Sequence, residues 1–354
     1  MRYKEGTRNR EVHEVAPHDV SISECTIFHV QPRSSASRGI GADSGARRVS
    51  MLETDWKPLA KDKAKGEIDP VVEVQFLFPQ WMGEFHESVL LSILAIAARK
   101  SPNAREFVSD FDTDEEMDKL ITLLDSKVKG DRKRLDRIAL TTQASPLLKS
   151  AGKSTSAKNY ERLHGVLKDL SRVNCGYRWK ASAESEAWST ASESLFNYTF
   201  DADTGEIRLS LSGRISRIFV PTQDGSLLRY VSISMSERSK LNGDVAILLH
   251  SHLCRLVWEG DGCGRPSKKF RPDTMMNYVY REPPKDSQEA RDRRKEIRRA
   301  LDAIDALPGW RVTRWNEDAE KKGPKDMIYF IGRLKTGVGD NAGTLLKFGQ
   351  KKKG

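Results

Sequence analysis

The chain reads SQEARDRRKEIRRALDAIDAL over residues 287–307, and this stretch has two faces of different character. Its apolar residues recur at the spacing of one helix face, and they are Ile297, Ala300, Leu301 and Ile304. Its basic residues fall at i, i+3, i+4 and i+7 on a separate face, and they are Arg291, Arg294, Lys295 and Arg298. A helix fits the major groove of B-DNA, where arginine and lysine reach guanine edges and phosphates. The stretch therefore predicts a DNA recognition helix. A solvated helix face, with Glu289 and Glu296 as ion-pair partners, is the alternative.

The segments on either side of this stretch complete a helix-turn-helix and add a hairpin. A short helix is predicted over residues 274–280, and residues 283–287 (PPKDS) break it and cap the next helix. Two alternating segments follow, at residues 309–315 and 326–331, and they are typical of paired strands. This order predicts a winged helix-turn-helix domain.

The loop between the two predicted strands, residues 316–325, has the charge of a wing that lies beside DNA. Its basic residues are Lys321, Lys322 and Lys325. Phosphate contacts of this kind position a protein on DNA without specifying sequence. We therefore predict DNA contacts from these lysines, from Arg314 on the preceding strand and from Ser287 at the helix start. An ordinary solvated turn is the alternative for the loop.

The same order of elements is predicted in the first half of the chain. The second half begins with a strand at 229–235 and a long helix at 237–257. In the first half, the sequence predicts a strand at 71–78, helices at 83–99, 140–152 and 156–173, and a hairpin at 195–200 and 206–211. An acidic helix is predicted between them, at residues 112–128. Strand, helix, helix, helix and hairpin thus occur twice, which indicates an architectural duplication.

The predicted fold is therefore α+β, with two tandem winged helix-turn-helix domains and disordered tails. The predicted boundaries are a disordered basic tail over 1–66, an N-terminal winged-helix domain over 67–221, a C-terminal winged-helix domain over 222–335 and a basic tail over 336–354. Residues 1–66 are rich in Ser, Gly, Arg and Lys without a sustained apolar period. A disordered segment buries little, so we expect deletion of residues 1–50 to leave the melting temperature and the DNA affinity nearly unchanged.

The start of the helix at 156–173 is the second candidate for DNA contact. Backbone N–H groups at a helix start bind phosphate, and the first turns of a recognition helix usually touch bases. The residues concerned are Lys149, Lys153, Ser154, Thr155, Ser156, Lys158, Asn159 and Arg162. Gly152-Lys153-Ser154 also resembles the end of a nucleotide-binding P-loop, but Leu147 stands where that motif needs its first glycine. We expect no nucleotide and no cofactor.

The charge balance favours an anionic partner. The chain of 354 residues has 60 Lys and Arg against 50 Asp and Glu, which gives a net charge of +10. Nucleic acid is the commonest such partner, and an anionic membrane is the next. No apolar run approaches the roughly 18 residues of a membrane span. The N-terminus, Met1-Arg2-Tyr3-Lys4, has no apolar segment after its charges, so we expect a cytoplasmic protein.

The cysteines and histidines give weak signals for metal. The four cysteines form no Cys-x-x-Cys pair and are expected to be reduced thiols: Cys25, Cys175, Cys254 and Cys263. His250-Ser251-His252 invites comparison with DNA nickases that use two histidines on a strand. Here the segment is predicted to be helical, where i and i+2 point apart. We expect a structural role, no bound metal and no enzymatic activity.

The second half resembles the IncQ-type plasmid replication initiators, the replication protein C family. The matching segments lie between residues 229 and 333, with a fainter likeness over 68–220. They are Tyr230–Met235, Ala246–His250, Leu253-Cys254, Asn277–Tyr280, Arg291–Arg299, Leu307, Gly309-Trp310 and Val312-Thr313. The resemblance implies tandem winged-helix domains that bind direct repeats (iterons) of double-stranded DNA at a plasmid origin. It also implies origin opening, followed by recruitment of a helicase and a primase.

Two further functions remain open at this stage. A transcriptional regulator could have the same fold, but regulators more often dimerise on a palindrome. Two basic helices on one chain can instead occupy one repeat as a monomer, which favours the initiator. A rolling-circle nickase is the alternative from the enzyme class, and metal-dependent cleavage of origin DNA would distinguish it.

Overall fold

A computed structural model of the chain describes residues 15–19, 27–30, 51–58, 72–79, 82–100, 138–179, 186–212, 215, 230–258, 260–262, 266–315 and 327–334. The chain divides into two compact units. The N-terminal unit comprises residues 1–25 and 36–239, and the C-terminal unit comprises residues 26–35 and 240–354. The predicted helix at 112–128 and the predicted tail at 336–354 lie outside the described residues.

The N-terminal unit contains a winged helix and a second sheet. Its elements are, in chain order, β1 (Val15–Asp19), β2 (Met51–Glu53), β3 (Lys57–Pro58), β4 (Val72–Pro79), α1 (Glu84–Lys100), β5 (Ala139–Gln143), α2 (Ala144–Ser150), α3 (Ala157–Ser171), β6 (Asn174–Trp179), β7 (Ser189–Ser194), β8 (Phe196–Phe200), β9 (Glu206–Leu211), β10 (Tyr230–Ser234) and α4 (Met235–Ser239). Helix α1 packs against α2 and α3. The hairpin β8–β9 takes β5 as its third strand, in the order β5-β9-β8.

Helix α1 is buried over most of its length and forms the centre of this unit. Val89, Leu91 and Leu94 are fully buried. Its polar first turns are buried as well, and their groups are paired. Ser88 Oγ donates to Glu84 at 2.6 Å, and Arg238 of α4 donates to Glu87 at 2.7 Å. Because a buried charge is costly unless it is paired, these contacts are a condition for placing this end of α1 in the core.

Two strands of a second sheet come between the recognition-helix candidate α3 and its hairpin in the sequence. Strands β6 and β7 lie between α3 and β8, and they extend a sheet in the order β2-β4-β6-β7, with β3 also paired to β4. No strand was predicted at β6 or β7. Strand β1 pairs in antiparallel fashion with β10, from Val15 opposite Ser234 to Asp19 opposite Tyr230.

The C-terminal unit repeats the winged-helix order without an inserted hairpin. Its elements are α5 (Asp244–Leu256), β11 (Lys268–Phe270), α6 (Pro272–Val279), α7 (Ser287–Asp305), β12 (Trp310–Trp315) and β13 (Ile328–Arg333). The sheet order is β11-β13-β12, which is equivalent to β5-β9-β8 in the N-terminal unit. Each unit thus has a helix, a short strand, two helices and a hairpin, and the predicted α+β fold with two winged helices is confirmed.

The core of the C-terminal unit contains the predicted apolar face of α7. Ile297, Leu301 and Ile304 are fully buried, and Trp310 at the start of β12 is also fully buried. Helix α7 packs against α5, α6 and β12. One face of α7 is therefore fixed to the core, and the opposite face is left for solvent or a ligand.

Several predictions about boundaries were wrong. Residues 140–143 belong to strand β5 rather than to a helix, and the predicted helix at 237–257 is two helices, α4 and α5. Gly243 precedes α5 with a positive φ of 88°, which glycine adopts without strain. The predicted boundary at 221/222 differs from the observed division, which follows Ser239.

The prediction of a wholly disordered segment over 1–66 was also wrong. Within it, β1, β2 and β3 are strands, and Ile27 and Phe28 are buried. The composition of the segment does not favour a core of its own. These short pieces are ordered by later parts of the chain: β2 and β3 pair with β4, β1 pairs with the distant β10, and residues 27–30 belong to the C-terminal unit.

Candidate nucleic-acid interface

The exposed face of α7 carries a row of basic side chains. Arg291, Lys295 and Arg299 are all exposed and are spaced four residues apart. Side chains at i and i+4 lie on the same side of a helix, so the three form one row, which we call the α7 basic stripe. Among the described residues, no ion pair involves any of the three. The stripe is therefore available to an anionic ligand.

Arg299 was not among the residues selected from the sequence, although the sequence did contain its signal. Arg299 follows Lys295 by four residues and Arg291 by eight, so the same spacing rule extends to it. The prediction instead favoured Arg294 and Arg298, which lie nearer the core. The structure leaves these two arginines less exposed than Arg291, Lys295 and Arg299.

Arg294 is committed to a contact between the two helices of the helix-turn-helix. Its Nε donates to Asp273 of α6 at 2.9 Å, and its side chain is only 15% exposed. Arg298 is half-buried, and its Nε has no hydrogen-bond partner in the described part of the chain. Arg294 therefore holds α6 and α7 together, and neither residue belongs to the exposed stripe.

Two acidic residues of α7, Glu289 and Glu296, have partners outside the stripe. The amide of Glu289 donates to the side chain of Asp286 at 2.7 Å, and the amide of Lys285 donates to Glu289 at 2.8 Å, which caps the helix reciprocally. The hydrogen bond from Lys285 and the ion pair with Arg293 hold the pKa of Glu289 below its usual range. Glu296 accepts a hydrogen bond from the hydroxyl of Tyr280. Both of these acids are thus occupied elsewhere.

The other DNA contacts predicted in the C-terminal unit are Ser287, Arg314 and three lysines that follow β12 in sequence. Ser287 is exposed at the first position of α7. Arg314 forms an ion pair with Asp302 of α7, and the amide of Val312 donates to Asp305 at 2.7 Å. Strand β12 is therefore fastened to the last two turns of α7. Lys321, Lys322 and Lys325 lie outside the described residues.

In the N-terminal unit, the structure splits the predicted contact residues in a similar way. The exposed ones surround the start of α3, and they are Lys149, Ser154, Thr155, Ser156 and Lys158. Lys153 instead donates to the buried Glu84 at 2.8 Å and lies 5.5 Å from the ring centroid of Phe85. Arg162 lies 4.9 Å from the same ring. Asn159 donates to the backbone and the hydroxyl of Ser154, both at 2.9 Å.

Glu84 keeps Lys153 in that position. Burial raises the pKa of this carboxyl, but Lys153 and Ser88 favour its charged form more strongly and bring the pKa below the usual 4.5. The pair is partly exposed on the lysine side. Lys153 thus ties the turn before α3 to α1.

The hairpin of the N-terminal unit differs from that of the C-terminal unit in charge. Its turn, residues 201–205 (DADTG), is fully exposed at both of its aspartates. Asp201 accepts hydrogen bonds from the amides of Asp203 and Thr204, and these bonds lower the pKa of its carboxyl. The turn therefore carries negative charge at neutral pH, which disfavours close approach to phosphate.

The paired histidines that suggested a nickase lie inside a helix. His250 and His252 are buried in α5, as the sequence predicted. The ring of His250 lies 5.4 Å from that of Trp310, and the ring of His252 stacks on Tyr278 at 5.3 Å. The two side chains face different neighbours, which is the geometry of core packing.

Comparison with known proteins supports the resemblance noted in the sequence. A family model described as Replication protein C (RepC) matches residues 187–323, which is less than half of the chain. The match runs from just before β7 to eight residues after the end of β12, and it includes the α7 basic stripe. The resemblance to this family is therefore confirmed over that range. No curated protein matches the chain.

Two solved structures resemble the fold at low sequence identity. One is a crystal structure of selenomethionine derivatives of domains 2 and 3 of RctB, with 8% identity, a TM-score of 0.48 and coverage of 84% of this chain and 95% of that chain. The other is a crystal structure of RctB domains 2–3, with 9% identity, a TM-score of 0.46 and coverage of 85% and 96%. In the described part of this chain, no helix has both the length and the apolar character needed to cross a bilayer.

Proposed function

Taking the match of residues 187–323 to replication protein C as the premise, we propose that the protein is a plasmid replication initiator that binds direct repeats at an origin. The observation that carries the proposal is the α7 basic stripe, which lies on the exposed face of the second helix of a helix-turn-helix. The protein acts by binding rather than by chemistry. It promotes origin opening and recruits the replicative helicase and primase.

The C-terminal unit supplies most of the DNA affinity in this proposal. Successive members of the stripe are separated by about 6 Å along the helix axis, so the row follows the floor or the wall of one major groove. Arg291 and Arg299 have the bidentate geometry that reads guanine, whereas Lys295 offers a point charge for phosphate. The lysines of the following loop, Lys321, Lys322 and Lys325, contact the adjacent backbone.

The N-terminal unit adds a second and weaker contact. Its exposed groups at the start of α3 are short hydroxyl side chains beside Lys149 and Lys158, which suit phosphate and limited base contacts. Its acidic hairpin turn stays away from the backbone. One molecule then covers about two helical turns of one repeat, because major grooves on one side of the duplex recur every ~34 Å.

The test is selection of DNA by the full-length protein from a random duplex pool, followed by footprinting and measurement of stoichiometry. We expect selected sequences without internal symmetry, bound by one molecule each, and direct repeats of that sequence beside the gene. Selection of palindromes bound by two molecules would replace the initiator with a transcriptional regulator. Cleavage of the bound DNA in the presence of Mg²⁺ or Mn²⁺ would replace it with a nickase.

A further inference from the structure

A short segment near the N-terminus lies in the C-terminal unit, more than 200 residues before the rest of that unit begins. Ile27 and Phe28 are 1% and 4% exposed, and His29 is buried beside them. Two adjacent apolar side chains with so little exposure are part of a folded core, since burial is what makes their ordering favourable. We call residues 27–30 the N-terminal strap.

The strap is hydrogen-bonded to the turn between α6 and α7. The amide of Val30 donates to the carbonyl of Val279 at 2.8 Å, and Val279 is the last residue of α6. The carbonyls of a last helical turn have no partner within their helix, so the strap satisfies one of them. From the other side, the guanidinium of Arg281 donates to the carbonyl of Ile27 at 3.4 Å.

The same turn is tied to the first half of α7. Arg293 donates to the carbonyl of Glu282 at 2.6 Å, and its guanidinium lies 4.4 Å from the ring centroid of Tyr280. The hydroxyl of Tyr280 donates in turn to Glu296 of α7. The turn is therefore held between the strap on one side and the recognition helix on the other.

We propose that the N-terminal strap is a positioning element for DNA recognition. It fixes the turn before α7 and thereby the position of the α7 basic stripe. The strap itself touches no DNA in this proposal. A small displacement of a catalytic or binding group costs much of its effect when the group must meet a partner at a defined distance, and guanine recognition has this requirement. Loss of the strap therefore lowers discrimination between DNA sequences more than it lowers attraction to DNA in general.

The proposal rests on the proposed function, and the test uses the full chain. Phe28→Asp places a charge at the buried position of Phe28 and displaces the strap. Arg281→Ala removes one of its hydrogen bonds and leaves its apolar contacts. Phe28→Leu keeps an apolar side chain and is the matched control. Val74→Ala, in the core of the second sheet of the N-terminal unit, controls for a general loss of stability.

Two measurements are made on each variant. The first is the ratio of dissociation constants for a scrambled duplex and for a duplex selected by the wild-type protein. The second is hydrogen exchange of the amides from Arg281 to Glu289. We expect Phe28→Asp to lower the ratio at least about tenfold, which corresponds to about 1.4 kcal/mol, while binding to the scrambled duplex is retained. Arg281→Ala lowers the ratio less, both variants accelerate exchange in the turn, and the two controls keep the wild-type ratio.

A folded Phe28→Asp protein with the wild-type ratio would overturn the proposal, and so would an equal loss of ratio in Val74→Ala. If Phe28→Asp does not fold, Arg281→Ala decides, and an unchanged ratio in that variant overturns the proposal. If the wild-type protein selects no duplex at all, the proposed function fails. The exchange measurement then still stands by itself, and unchanged exchange in the turn overturns the strap.

Discussion

Deletion of residues 1–50 is expected to destabilise the protein, contrary to what composition predicts for a disordered tail. The deletion removes β1 from its pairing with β10 and removes the N-terminal strap from the C-terminal unit. Burying an apolar side chain of this size contributes about 1.5–3 kcal/mol, so Ile27 and Phe28 together contribute roughly 3–6 kcal/mol. Because a domain is stabilised by only about 5–15 kcal/mol, this is a large share.

The assay is hydrogen exchange followed by mass spectrometry, which reports on each helix separately. We expect faster exchange in α6 and α7 of the deleted protein, with a lower midpoint of urea unfolding. Deletion of residues 1–14 is the matched control, because it removes none of the contacts described above and should leave both quantities unchanged. A protein without residues 1–50 that exchanges and unfolds like the full chain would refute the reasoning.

Three further predictions concern ion pairs inside one or the other unit. Arg238→Met should cost about 3–5 kcal/mol in urea unfolding, since it leaves the carboxylate of Glu87 buried without its charged partner; the double variant Arg238→Met, Glu87→Met should recover most of that loss. Glu84→Gln should flatten the acid branch of the stability profile. The pKa of Glu84 is lowered on folding, so its contribution to the free energy of unfolding is complete above about pH 4.5 and is lost as the pH falls through the lower folded value. Thermal melts from about pH 6 to pH 3 would show this loss. An equally steep loss of stability in the Glu84→Gln variant would contradict the assignment. Arg294→Ala should weaken DNA binding while it also speeds exchange in α6, because the residue joins α6 to α7; loss of affinity with unchanged exchange would mean that it contacts DNA directly.

Most of the winged-helix architecture could be predicted from the sequence because its signals are local. The apolar spacing of α7 and the two alternating segments of each hairpin are complete within a few turns or strands. Strand β11 is only three residues long and strand β7 (STASES) consists largely of Ser and other short side chains, so neither carries a periodic apolar pattern. Each is a strand because it pairs with β13 or β6, and no local rule contains that pairing.

The candidate site shows the same limit at the level of single side chains. Helical spacing identified the basic side of α7, but it could not show that Asp273 draws Arg294 inward or that Glu84 holds Lys153. Both partners are distant in sequence. The strap is the extreme case. Four residues cannot show a period, and the residues that they contact lie about 250 positions later in the chain.

The claim that the α7 basic stripe reads DNA is tested most directly by its own side chains. The triple variant Arg291→Ala, Lys295→Ala, Arg299→Ala and the charge-preserving variant Arg291→Lys, Arg299→Lys would be compared with Lys240→Ala, an exposed control. Dissociation constants would be measured for a duplex selected by the wild-type protein, over a range of salt concentrations.

The triple variant should lose about 1–3 kcal/mol of binding for each arginine that reads a base, and its salt slope should fall by about 0.9 for each phosphate contact removed. The lysine variant should keep the slope and lose selectivity, because it preserves charge but not bidentate geometry. Wild-type affinity and salt slope in a folded triple variant would contradict the account.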